Sequence, residues 1–171
     1  MKVAHLILAH KNAAQVEKLI DALSHPDFHF FLHIDKKTNV GPFMYLLDKQ
    51  NVHVIENRAK VFWASFGTIQ ATINGFKEIL PYNFEYINVI SAQDFPLKSA
   101  RYIHDFLSNC NRTEFITCES IEDEWKEARP RIYNYHFTNW RIPGKYKMEV
   151  IANKILPKRK LPLDYVIVGR A

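Results

Sequence analysis

Four near-continuous apolar runs, each followed by a stretch with helical spacing, leave this chain few architectures. Residues 2–9, 28–34, 52–55 and 86–90 are rich in β-branched, aromatic and leucine side chains. Between them the apolar positions change period. Val16, Leu19, Ile20 and Leu23 lie on one side of a helix over 12–24, and Ile69, Ile73, Phe76, Ile79 and Leu80 on the expected buried side of another over 67–80, which Pro81 ends. Further helices are expected around 42–49 and over 100–107, and a fifth strand over 114–117. Strands that are apolar throughout are buried on two sides, and strand–helix alternation with short connections builds βαβ units. The expected fold class is therefore α/β: a mainly parallel, Rossmann-like sheet flanked by helices on both faces.

With 171 residues and 47% hydrophobic content, the chain can bury a core without disulfide staples, and wholesale disorder is excluded. No run approaches the roughly 18 apolar residues of a membrane-spanning helix. The apolar run at 3–9 is short, interrupted by His5 and followed by no small-residue cleavage site, so it reads as a buried strand and not a signal peptide. Cys110 and Cys118 make neither a disulfide framework nor a metal-ligand spacing, which points to a reducing, cytoplasmic setting.

Charge divides the chain unequally. Residues 1–128 carry 13 Lys/Arg against 16 Asp/Glu, whereas residues 129–171 carry 10 against 2. So basic a C-terminal third suits an anionic partner, including the inner face of a membrane contacted peripherally. For Lys158-Arg159-Lys160, between Pro157 and Pro162, the plainer account is a solvated loop. The strand–helix pattern fades at the same place. Residues 1–119 read as an α/β subdomain and 120–171 as a basic, aromatic-rich segment with a helix around 146–155 and a strand over 165–169. A chain stopping two residues after a buried strand is expected to be the N-terminal part of something longer.

In open parallel sheets ligands sit outside the carboxyl ends of the strands. Four polar or aromatic clusters follow the apolar runs there: His10-Lys11-Asn12, His33 to Lys37, Arg58 to Trp63, and Ser91-Ala92-Gln93-Asp94. Only 5 glycines are present, and neither G-x-G-x-x-G nor a P-loop follows the first run, so a dinucleotide or P-loop site is excluded. Asp35 either accepts hydrogen bonds from a ribose or base, or forms an Asx turn or helix cap. Asp94 reads first as a turn or capping residue. His10 and His33 stand at strand ends, where a structural role is equally open. The eight histidines show no metal-binding spacing, and no protein-bound metal is expected. Glu122, Asp123, Glu124 and Glu127 fit a solvated face better than a metal box. Trp125, Tyr133, Tyr135, Trp140 and Tyr146, interleaved with Arg129, Arg131 and Arg141, suit sugar stacking and phosphate binding. No nucleic-acid motif is present, so nucleic acid is not an expected partner.

The runs Leu6-Ile7-Leu8-Ala9-His10-Lys11, His33-Ile34-Asp35-Lys36-Lys37, Val61-Phe62-Trp63-Ala64-Ser65-Phe66 and Ser91-Ala92-Gln93-Asp94-Phe95-Pro96-Leu97-Lys98-Ser99 stand in one order and spacing. Together they resemble the core-2/I-branching β-1,6-N-acetylglucosaminyltransferase family, which includes the peptide O-xylosyltransferases, and bacterial members most of all. The resemblance covers residues 2–118, with an echo at Arg141-Ile142-Pro143. It implies a GT-A-like fold and inverting, metal-independent transfer of N-acetylglucosamine or xylose from a UDP-sugar to a glycan or other hydroxyl acceptor. By the same resemblance Asp35 would contact the uridine, Val61 and Trp63 would line the nucleotide pocket, and Ser91 and Asp94 would stand near the donor. His10, Lys37 and Arg58 are secondary members of that set.

Two departures qualify the match. Ala64-Ser65 replaces the glycine usual after the tryptophan. The family's glutamate base follows a G-S-x-W segment that would begin just after Ala171, so no base is assigned here. As a 171-residue polypeptide the chain is expected to show little transfer. The alternative expectation is a non-catalytic nucleotide- or glycan-binding domain.

Overall fold

A computed structural model describes residues 1–171 apart from 64, 111–112, 116–117, 121–124, 139, 141, 161–166 and 170–171. At 118, 119 and 167–169 it describes the backbone alone. The chain divides into two compact units, Met1–Thr113 and Glu114–Ala171.

The first unit is built on four strands, β1 (Val3–Ala9), β2 (Phe28–Ile34), β3 (Val52–Val54) and β4 (Tyr86–Ser91). All pair in parallel, in the order β3-β2-β1-β4. Helices α1 (Ala13–Ala22), α2 (Gly67–Ile79) and α3 (Ala100–Ser108), with a 3₁₀ helix at Gly41–Asp48, supply the crossovers. Alternate residues of β1 point to opposite faces. Val3, Ile7 and Ala9 join Val16, Leu19 and Ile20 of α1, Phe43 and Leu46 of the 3₁₀ helix and Ala100 of α3 in one core cluster. Ala4 and Leu6 join Phe31 and Ile79 in the other, with Phe76 of α2 packed against them. Strands β1 and β2 are thus covered on both faces, as their apolar sequences require, whereas β4 at the edge is only partly buried. Ile69, Ile73 and Leu80, expected on the buried side of the second helix, are exposed; α2 instead buries Ala71, Asn74, Gly75 and Ile79.

Local chemistry sets the helix ends. Asn12 adopts the left-handed region (φ 55°), which asparagine tolerates better than most residues, and its side chain accepts the Gln15 N–H to start α1. Ser99 does the same for Tyr102 N–H at the start of α3. Helix α2 approaches β1 closely because position 75 has no side chain: a Cβ there would lie 2.5 Å from Leu6 Cδ2.

His5 is the costly residue of this core. It is fully buried, packed edge-on against Phe28 and stacked on Phe30. The Asn88 amide donates to its Nδ1 at 3.2 Å, which puts the ring proton on Nε2, and that nitrogen has no partner. Burial pushes its pKa down to about 4 from an ordinary 6.5. The native state therefore holds His5 neutral, while the unfolded chain takes up a proton below pH 6.5. Stability from this group is complete above that pH and is lost as pH falls towards 4, by about 3 kcal/mol in all. Unfolding free energies from urea titrations of the wild type and His5→Leu, compared between pH 7 and pH 4, should diverge by that amount. Parallel pH profiles would refute this account.

In the second unit, β5 (Cys118–Ser120) pairs antiparallel with β6 (Ile167–Gly169), accompanied by the short helix α4 (Arg129–Tyr133) and by α5 (Lys145–Ile155). Of the strand expected over 114–117, residues 116–117 lie outside the described residues and Glu114 and Phe115 are in no strand; the described ladder, Cys118–Ser120, runs antiparallel in a two-stranded sheet. Its pairing depends on a partner some fifty residues away, which local composition does not encode. Helix α5 agrees with the expected 146–155. Residues 165–166 of the last expected strand, and Ala64, Glu122, Asp123, Glu124 and Arg141, lie outside the described residues.

Candidate functional site

Parallel register brings the strand ends level. Ile34 of β2 lies opposite Ala9 of β1, and Ser91 of β4 opposite Leu8. The clusters that follow these strands therefore open on one side of the sheet. A cleft of about 550 Å³ lies there, bounded by His10, Lys37, Trp63 and Ser91, with Val61, Phe62, Val89 and Ile90 giving it apolar walls. Thr68, in the first turn of α2, also lines it, which sets the N-terminal end of that helix beside the cleft.

The stretch from 55 to 61 is fastened to the tip of β2 by alternating bonds. Ile55 N–H donates to Leu32 O (3.0 Å) and Lys36 N–H to Ala59 O (2.9 Å). Ala59 N–H donates to His33 Nε2 at 2.9 Å. His33 is 1% exposed, and burial, the largest influence on it, holds its pKa below the ordinary value. A neutral ring with Nε2 as acceptor fits both facts. Asp35 completes the fastening. Its Oδ1 accepts the N–H of Lys37 (2.9 Å) and of Val61 (3.3 Å), and its Oδ2 lies 3.3 Å from Lys37 Nζ. The Lys37 ammonium stands 4.2 Å from the centroid of the Phe62 ring, so one cation joins the carboxylate to the aromatic wall.

Loop 62–67 is organised by Ser65. Its hydroxyl donates to Phe62 O (2.8 Å) and accepts the N–H groups of Phe62 and Gly67, both at 3.2 Å. The Ala64-Ser65 departure thus supplies the polar atom that closes the turn. Gly67 leaves room for it, because a Cβ there would lie 2.3 Å from Lys60 O. The turn after β4 is locked in a similar way. Ser91 N–H donates to Asp94 Oδ2 (2.8 Å), and Gln93 N–H to Ser91 Oγ (3.2 Å).

Of the residues singled out from sequence, His10, Asp35, Lys37, Val61, Trp63 and Ser91 come together around the cleft. Trp63 is 89% exposed and stands free at its mouth. Asp94 acts through its bond to Ser91, and Arg58 donates to Thr38 O at 3.3 Å; neither lines the cleft. Sequence reasoning passed over Thr68, Gly67 and the clamping roles of His33 and Ser65. A glycine opening a helix in a chain with 5 glycines is the one signal that pointed to Gly67.

An apolar slot with aromatic rings, a fixed cation and a helix N-terminus is suited to a planar base bearing a phosphate. Residues 3–152 match the Core-2/I-Branching enzyme family. The chain belongs to that family. It is 31% identical over 114 residues to the Homo sapiens protein named "Probable beta-1,3-galactosyl-O-glycosyl-glycoprotein beta-1,6-N-acetylglucosaminyltransferase 7", covering 61% of this chain and 26% of that protein. It is 22% identical over 163 residues to a xylosyltransferase of Ciona intestinalis (89% of this chain, 19% of that protein). It is 23% identical over 125 residues to xylosyltransferase 1 of Rattus norvegicus (68% and 15%). The chain spans about a quarter or less of each of these relatives. As a Core-2/I-branching family member it carries the α/β fold of that family.

Proposed function

We propose that this chain binds the nucleotide of a UDP-sugar at the carboxyl ends of β1, β2 and β4, as part of an inverting transferase. The enzyme passes N-acetylglucosamine or xylose to a hydroxyl of a glycan or protein acceptor. The observation that carries the reading is the cleft itself, with its aromatic wall tied to Lys37 and Asp35, in a member of this family. Phe62 and Trp63 offer faces for the uracil. Lys37 and the positive end of the α2 dipole, where Thr68 lines the cleft, offer positive charge for the diphosphate. As the sugar–phosphate bond breaks, charge accumulates on the leaving UDP, and fixed donors of this kind stabilise it without a metal ion. Inversion also needs a carboxylate to take the acceptor proton; no described residue of this chain is assigned that role.

Calorimetric titration of the folded chain with UDP tests the reading. One-to-one, saturable binding is expected, with the same affinity in EDTA. Competition by UDP-N-acetylglucosamine and UDP-xylose then ranks the donors. A folded protein that binds no UDP, or binds it only with a divalent ion present, overturns the proposal.

A further inference from the structure

Of the ties that fasten residues 55–61 to the tip of β2, one can be reversed by a proton. Ile55 N–H to Leu32 O and Lys36 N–H to Ala59 O join backbone groups, which do not titrate. Asp35 Oδ1, which accepts the Val61 N–H, belongs to a group that keeps an acceptor oxygen in either protonation state. His33 differs. Its Nε2 accepts the Ala59 N–H at 2.9 Å, so the proton of the neutral ring is on Nδ1. A second proton can go only to Nε2, where it meets the Ala59 N–H donor to donor. Both residues are buried, His33 to 1% exposure, so neither group can turn to bulk water unless the segment moves.

We propose that His33 is a positioning residue of the cleft: neutral, it holds Ala59 against β2 and so sets the wall of Val61, Phe62 and Trp63; protonated, it repels that N–H and releases the wall. The consequence for ligand binding rests on the UDP reading of the cleft, while the clamp is a property of the chain alone. Charges around the ring act in both directions. Asp35, just past β2, and Glu78 of α2 favour the imidazolium, as does the carbonyl of His33 itself, whereas Arg58 in the fastened segment opposes it. On β1, His33 lies opposite Leu8, which carries no charge. His10 and Lys37 are the remaining titratable residues that line the cleft. Burial outweighs the others and holds the pKa of His33 below its ordinary 6.5. The clamp is therefore closed at neutral pH and opens as pH falls below that value. A ligand that needs the wall in place binds the neutral form better, and by reciprocity it lowers the pH at which the ring titrates. A diphosphate acting only as a nearby negative charge would raise it, so the sign of the shift separates the two effects.

The test follows the His33 ring by NMR in the full chain, with and without UDP, the signal being assigned by its absence from His33→Gln. In the free protein the ring should titrate below pH 6.5, and protection of the Ala59 amide from exchange should fall with the same midpoint. Saturating UDP should lower that midpoint by about one pH unit, equivalent to a tenfold preference for the neutral ring. His33→Gln, whose amide oxygen reaches the place of Nε2, should bind UDP within about threefold of the wild type at pH 7.5, and His33→Leu at least about tenfold more weakly. If His33→Leu does not fold, the midpoint in UDP and the Gln variant still decide. Equal UDP affinity in His33→Leu and the wild type overturns the positioning role, and so does a midpoint that UDP raises or leaves in place. Ala59 protection that persists after the ring has titrated overturns the clamp, and that measurement needs no UDP. A wild type that couples His33 to Ala59 as described yet binds no UDP upholds the clamp and refutes the nucleotide reading of the cleft.

Discussion

Replacing Asp35 by Ala is expected to weaken UDP binding at least tenfold and to lower stability by about 2–4 kcal/mol, the sum for two backbone donors deprived of a buried acceptor. The Asp35 carboxylate is 4% exposed, and its Oδ1 accepts the N–H groups of both Lys37 and Val61. Without it, the segment bearing Val61, Phe62 and Trp63 loses a tie to the tip of β2, and Lys37 loses its anchor. Asp35→Asn separates two effects, since the amide oxygen still accepts both N–H groups while the charge facing Lys37 is gone. We expect Asn to restore most of the stability and part of the affinity, read by urea denaturation and by titration with UDP. Wild-type affinity in Asp35→Ala would show that the fastening does not shape the cleft.

Gly67→Ala is the second large effect. In an unconstrained helix the change favours folding by up to about 1 kcal/mol. Here the new Cβ would lie 2.3 Å from Lys60 O and 3.0 Å from Val61 Cα. Both are backbone atoms, so no side chain can rotate away, and either α2 or the loop ahead of it must shift. Overpacking of this kind costs about 3 kcal/mol. Because the loop that shifts carries the wall of the cleft, UDP binding should fall along with stability. Gly41→Ala, whose Cβ would meet only the Asn39 side chain at 3.4 Å, is the control, and should change neither by much. If Gly67→Ala unfolds at the same urea concentration as the wild type, the close approach of loop and helix is not as described.

Much of the frame was legible because its signals are local. The four apolar runs became β1 to β4 within a residue or two, and Pro81 falls in the turn directly after α2. The four polar clusters could be placed at one end of the sheet because each comes after a strand, and parallel strands end on the same side. The alternatives left open for Asp35 are answered in part by geometry: its carboxylate forms the Asx-type turn with Lys37 N–H and also reaches Val61, a residue 26 positions away. The first contact could be anticipated from the order of residues; the second could not.

Strand β5 shows the converse. A strand exists only where a partner offers a ladder, and its partner, β6, lies far along the chain. His33 is the same kind of case. Its role as acceptor for Ala59 N–H exists only once β2 and the segment after β3 lie side by side. Periodicity and strand ends are written over a few residues, because a side chain's face is set by its nearest neighbours along the backbone. Acceptors and clefts arise between segments distant in sequence, because hydrogen bonds depend on distances in space that only the packed sheet and helices establish.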